Sequence, residues 1–146
     1  MSMKEEDKLK HVMSAPVITM GVKGNLGSVA RKMVQHNIGS VVVVDGKKLI
    51  GIVTERDITK QAIKRDKLVK IPVKKIMTKK LVTAPPEMSV QDAFELMLTS
   101  KIRRLPVLEN DNLVGIVTEK DLMRWVLRVS YEPNIPNNIQ LILDAK

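Results

Sequence analysis

Shifted by 64 positions, the chain lies on itself without a gap, so that GIVTERD at Gly51 to Asp57 falls on GIVTEKD at Gly115 to Asp121. The same shift pairs Met13 with Met77, Thr19 with Thr83, Met33 with Met97, Ile38 with Ile102, Val43 with Val107 and Leu49 with Leu113. One unit is written twice, and any fold has to accommodate two similar halves. A copy of about 60 residues is only marginally able to bury enough surface alone. The two halves of this 146-residue chain are therefore expected to pack together.

Each copy begins with a short apolar segment, Val17 to Met20 or Leu81 to Ala84. A helix with apolar positions at helical spacing follows: Leu26, Val29, Ala30, Met33 and Val34, then Val90, Ala93, Phe94, Met97 and Leu98. Both sets read as core faces. Asn25 and Ser89 mark the helix starts, and Asp92 three residues after Ser89 suggests a capping box. Two strands come next in each copy. Val41 to Val44 and Leu49 to Val53 flank Asp45 and Gly46, while Leu105 to Leu108 and Leu113 to Val117 flank Glu109 to Asn112; both are hairpin signals. Pro106 lacks a ladder donor and belongs at a strand start or edge. Second helices are expected from about Glu55 to Lys64 and from about Glu119 to Val129, with a short tail element at Ile139 to Leu143. The fold class is mixed α/β (α+β), a β-α-β-β-α unit in tandem. Boundaries fall at a lead 1–11, a first repeat 12–66, a basic linker 67–75, a second repeat 76–130 and a tail 131–146.

The net charge of +9 is unevenly spread. Residues 1–59 carry +3, residues 60–80 carry +8 and the remainder −2. A basic stretch between the copies could meet nucleic acid or an acidic partner, although such a run is ordinarily a solvated face. Three aromatics, Phe94, Trp125 and Tyr131, offer little to the stacking platforms of single-strand binders. No apolar run approaches the roughly 20 residues of a membrane span. The charged start MSMKEEDKLK lacks a signal-peptide core, and with no cysteine the composition fits a cytoplasmic protein. His11 and His36, the two histidines, share no ligand spacing, so no metal site is expected. Gly21, Gly24 and Gly27 fit neither the dinucleotide nor the Walker loop, and no Ser, His, Asp order forms a nucleophile elbow. No catalytic residue is assigned, and the chain is read as a non-enzyme.

The candidate chemistry lies where each hairpin runs into a helix, at Thr54 with Asp57 and at Thr118 with Asp121. Thr, x, x, Asp is by itself a capping box. Repeated with a cation, Arg56 or Lys120, at a helix N-terminus, it also suits a ligand with both hydroxyls and phosphates.

GIVTERD and GIVTEKD resemble the small, apolar, apolar, Thr/Ser, x, x, Asp signature of the CBS domain, named after cystathionine beta-synthase. The VM(S/A) and IMT openings, the VIT and LVT segments, the IGSVVVVD and IRRLPVLE strands and the order of elements match as well. The resemblance covers roughly Val12 to Val129, and a tandem pair of this kind is a Bateman module. It implies two copies packed through their sheets about a pseudo-twofold axis, with two clefts that take AMP, ADP, ATP or, less readily, S-adenosylmethionine, and no other cofactor. Carried over by position, Asp57 and Asp121 would hold ribose hydroxyls, with Thr54, Arg56, Thr118 and Lys120 by ribose or phosphate. Adenine would lie against Val17, Ile18, Thr19 and Ile38, or Leu81, Val82, Thr83 and Ile102, each cleft mixing the copies. Arg103 and Arg104, ahead of Pro106, match a pair that contacts phosphates in the gamma subunits of the AMP-activated kinase. Copy one has Gly39 and Ser40 there, which predicts unequal clefts. The expected function is a stand-alone adenylate or metabolite sensor, a homodimer acting on a protein partner. The alternatives are a nucleic-acid-associated protein using the 60–80 stretch, or a binding module for S-adenosylmethionine.

Overall fold

A computed structural model of the chain describes residues 7–64 and 68–145. The first six residues of the lead, residues 65–67 of the basic stretch and Lys146 of the tail lie outside the described residues. The first copy runs β1 (Thr19–Gly21), α2 (Leu26–His36), β2 (Ser40–Asp45), β3 (Lys48–Thr54) and α3 (Glu55–Ala62), preceded by α1 (Leu9–Val12). A 3-10 turn at Val73–Lys75 leads to the second copy: α4 (Val90–Ser100), β4 (Arg104–Glu109), β5 (Asn112–Thr118) and α5 (Glu119–Tyr131). The tail forms α6 (Asn137–Asp144).

Asn25 accepts from the Ser28 amide and Ser89 from the Asp92 amide, as the cap residues predict. The box expected at Ser89 has only this one arm, because Asp92 does not reach back. The first amides of both helices have partners from elsewhere in the sequence. Leu26 N–H donates to the Ile71 carbonyl and Val90 N–H to the Asp7 carbonyl. Val34 and Leu98, read as core, are 84% and 64% exposed. Positions i, i+3 and i+7 of each helix suffice to cover its small sheet, and the fifth apolar position turns past its edge.

In the first copy β1 pairs parallel to β2, and β2 pairs antiparallel to β3. In the second copy β4 pairs with β5, but the opening strand shrinks to a single bridge, Ala84 to Val107. Proline chemistry accounts for the loss. Val42 N–H donates to Ile18 and Val22 N–H to Val44, whereas the equivalent positions, Pro106 and Pro86, have no N–H to donate. Ala84 keeps its two bonds, donating to Pro106 and accepting from Leu108.

The chain divides into two compact units, and their membership crosses the repeat. One contains Pro16–Leu81 with Asn110–Leu113; the other contains Met1–Ala15, Val82–Glu109 and Val114–Lys146. The core of the first unit includes Met20, Leu26, Val29, Met33, Val41, Val43, Val53, Ile71 and Val73. That of the second includes Ala84, Val90, Ala93, Met97, Leu105, Val107, Val117 and Leu122, and it is completed by Leu9. Leu9 is the repeat equivalent of Val73. The segment that precedes each copy in sequence thus closes the core of the other. The repeat glycines record the same exchange, since a Cβ on Gly51 would overlap the Met77 sulfur and one on Gly115 the Met13 sulfur.

Candidate functional site

The two Thr–Asp motifs fold as full capping boxes. Thr54 donates its N–H and its hydroxyl to one carboxylate oxygen, Asp57 Oδ2 (2.8 and 2.9 Å), and its Oγ1 accepts from the Asp57 amide. Thr118 and Asp121 repeat this at 2.8 and 2.7 Å. Each carboxylate therefore spends Oδ2 on the cap and keeps Oδ1 for another donor. The threonine proton is committed to the carboxylate, leaving the hydroxyl an acceptor only.

The helix ends are less open to anions than free amides would be. Glu55 N–H donates to the Gly39 carbonyl and Glu119 N–H to the Arg103 carbonyl, and the caps take the third amides. Only the second-position amides, those of Arg56 and Lys120, are left over among the described residues. Both of these side chains are exposed.

In the first unit the Gly39 bond and the Ser40–Thr54 register bring Gly39 and Ser40 beside Thr54, Arg56 and Asp57. Ser40 is buried, and Val17, Ile18, Thr19 and Ile38 are half-buried. Thr19 sits across β2 at Val42. In the second unit, Arg103 and Arg104 stand at the same junction as Thr118, Lys120 and Asp121. Arg103 is exposed and lies 3.7 Å from the Glu119 carboxylate, whereas Arg104 is half-buried at the start of β4. Pro106 is buried in β4, and Val82, Thr83 and Ile102 are half-buried. Leu81 falls with the first unit, one residue before the boundary.

Known proteins carry the same pattern. The CBS domain family model matches residues 9–64 and 73–128, both copies in tandem. The chain belongs to the CBS domain family. The CBS domain-containing protein YhcV of Bacillus subtilis is 38% identical over 114 residues, covering 78% of this chain and 81% of its own length. The inosine-5'-monophosphate dehydrogenase of Methanocaldococcus jannaschii is 36% identical over 119 residues, covering 80% of this chain and 23% of the enzyme. A CBS module of this size therefore occurs as most of one protein and as a small part of another. The crystal structure of the CBS domain pair of protein MJ0100, in complex with 5'-methylthioadenosine and S-adenosyl-L-methionine, matches with a TM-score of 0.74 and 31% identity. That match covers 82% of this chain and 94% of the other. The mixed α+β architecture with two small sheets is that of CBS pairs. Among the described residues, no helix is long and apolar enough to cross a membrane.

Proposed function

We propose that this CBS pair is a regulatory, non-enzymatic cytoplasmic module that takes an adenosine-containing ligand at its Thr–Asp junctions and signals to a protein partner, as a homodimer. The observation that carries this reading is the divided carboxylate: Oδ2 of Asp57 and Asp121 serves the cap, and Oδ1 remains to accept from a ribose hydroxyl. The MJ0100 pair, a relative of similar size, holds adenosine compounds. Among adenosine ligands, the phosphate-bearing AMP, ADP and ATP are favoured by Arg103 and Arg104. Each charge-assisted contact contributes about 1.5–3 kcal/mol, so the second copy's site should bind phosphate tails more tightly than the first. Ligand shifts the partner surface only through its differential affinity for two states.

Calorimetric titration of nucleotide-stripped protein with AMP, ADP, ATP and S-adenosylmethionine tests this, and the absence of binding at millimolar ligand would sink it. Asp121→Ala is expected to cost about 1 kcal/mol of stability as a lost cap. It should also weaken ligand binding in protein that remains folded; unchanged affinity would reduce Asp121 to a cap.

The nucleic-acid reading gains little support. Lys60, Lys64, Lys70, Lys74, Lys75, Lys79 and Lys80 are all exposed, while Ile71 and Val73 between them are buried, the pattern of a solvated face over a core anchor.

A further inference from the structure

Arg124 is absorbed by neither the fold nor the Thr–Asp motif. Its Nε and Nη2 are buried and have no hydrogen-bond partner among the described residues. These two nitrogens share one edge of the guanidinium, where their N–H bonds run parallel, the fork that takes two oxygens of a single oxyanion. Asp121, one turn away on α5, is within the same pocket but accepts from neither nitrogen. Buried donors of a charged group are expected to be satisfied.

Arg124 lines a pocket of about 170 Å³ with Asp121, Trp125 and Arg128 of α5, His11 of α1 and Leu143 of α6. The two arginines outweigh the single carboxylate. Trp125 is held as a wall by its Nε1–H donated to Asp7 (3.2 Å). The volume lies below the 300–1,000 Å³ usual for sites that enclose a whole drug-sized ligand, and it suits a compact group. The repeat gives a control, because the equivalents of Arg124, Trp125 and Arg128 are Lys60, Gln61 and Lys64. Lys60 and Lys64 are exposed, and α3 stops at Ala62. The first copy has the charges but neither the fork nor the walls.

We propose that this pocket of the second unit is a phosphate site, occupied by inorganic phosphate or by the phosphate of a larger molecule, with Arg124 as its bidentate donor and Arg128 as a second cation. The pocket shares Asp121 with the proposed ribose site, but the proposal rests on the unpartnered edge of Arg124 and not on the adenosine reading.

Trp125 is the single tryptophan of the chain, so its fluorescence reports on the pocket directly. The full chain is titrated with inorganic phosphate, AMP and adenosine at constant ionic strength. A saturable response to phosphate is expected, weakened at least tenfold in Arg124→Lys, which keeps the charge and loses the fork. Arg128→Gln, at an exposed position, should weaken it severalfold, and Lys60→Gln should leave it unchanged. Thermal melts confirm that the variants are folded. A tighter, equally Arg124-dependent response to AMP would identify a nucleotide phosphate as the source, and equal responses would identify free phosphate. The proposal is overturned if neither gives a saturable change, if potassium chloride reproduces it, or if Arg124→Lys responds like wild type. Adenosine binding that survives in Arg124→Lys while the phosphate response is lost separates this pocket from the ribose site.

Discussion

Asn37 and Lys101 end α2 and α4 in the same left-handed conformation, with φ of 50° and 55°. The Cβ of either residue crowds the following carbonyl there, but the short polar side chain of asparagine can offset the cost by hydrogen-bonding locally, whereas that of lysine cannot. Lys101→Gly should therefore stabilise the protein by about 1 kcal/mol in urea unfolding, whereas Asn37→Gly should change little. Glu87 accepts from Lys10 at 2.8 Å and from Lys8 at 2.7 Å. These hydrogen bonds, Lys10's first, draw its pKa from 4.5 down to about 2. A depressed carboxylate contributes its stability above the ordinary value and loses it as pH falls from 4.5 towards 2. Glu87→Gln should flatten the melting temperature across that window at low salt. The difference should shrink at high salt, because all three side chains are solvent-accessible.

At the scale of elements, the glycine of each GIVT strand is fixed by a methionine reaching in from the opening of the other copy. Gly115→Ala should cost about 1–3 kcal/mol by overpacking against Met13, and Met13→Ala in the same chain should recover part of it in a double-mutant cycle. What was legible follows from distance along the chain. The boxes at Thr54 and Thr118, the caps at Asn25 and Ser89 and both hairpins depend on neighbours three or four positions away, and each reads from local spacing. The missing strand at Ala84 was half-written in Pro86 and Pro106, although the pairing they interrupt shows only once β2 is laid beside β1. Exposure of Val34 and Leu98 was not legible, since what covers a helix face comes from elsewhere in the chain. Nor was the burial of the Arg124 Nε and Nη2, in a pocket whose lining also draws on α1 and α6. The direct clue was spacing: Arg124 and Arg128 follow Asp121 at i+3 and i+7 on one helix face. For the proposed ligand site, the sequence singled out the Thr–Asp pairs as candidates, and geometry added which carboxylate oxygen the cap consumes.

For the whole molecule, the repeat register pairs Leu9 with Val73 without saying which core each one joins. Leu9 is 0% exposed in the second copy's cluster. Leu9→Ala should remove about 2–5 kcal/mol. Hydrogen exchange should quicken at Val107 and Val117 well before Val43 and Val53; the reverse order would contradict the crossed membership. That crossing makes the first unit almost an insertion within the second, since Pro16–Leu81 interrupts the chain between the two pieces that share the core of Leu9 and Leu122. Bringing those pieces together means closing a long loop, whose entropy for an unstructured span of this length is about 4 kcal/mol. Once Pro16–Leu81 has condensed, the loop's effective length is shorter and closure is cheaper. The topology thus treats the two copies unequally in assembly: the core of the first is gathered from one contiguous piece of chain, whereas that of the second needs Leu9 from the far side of that piece.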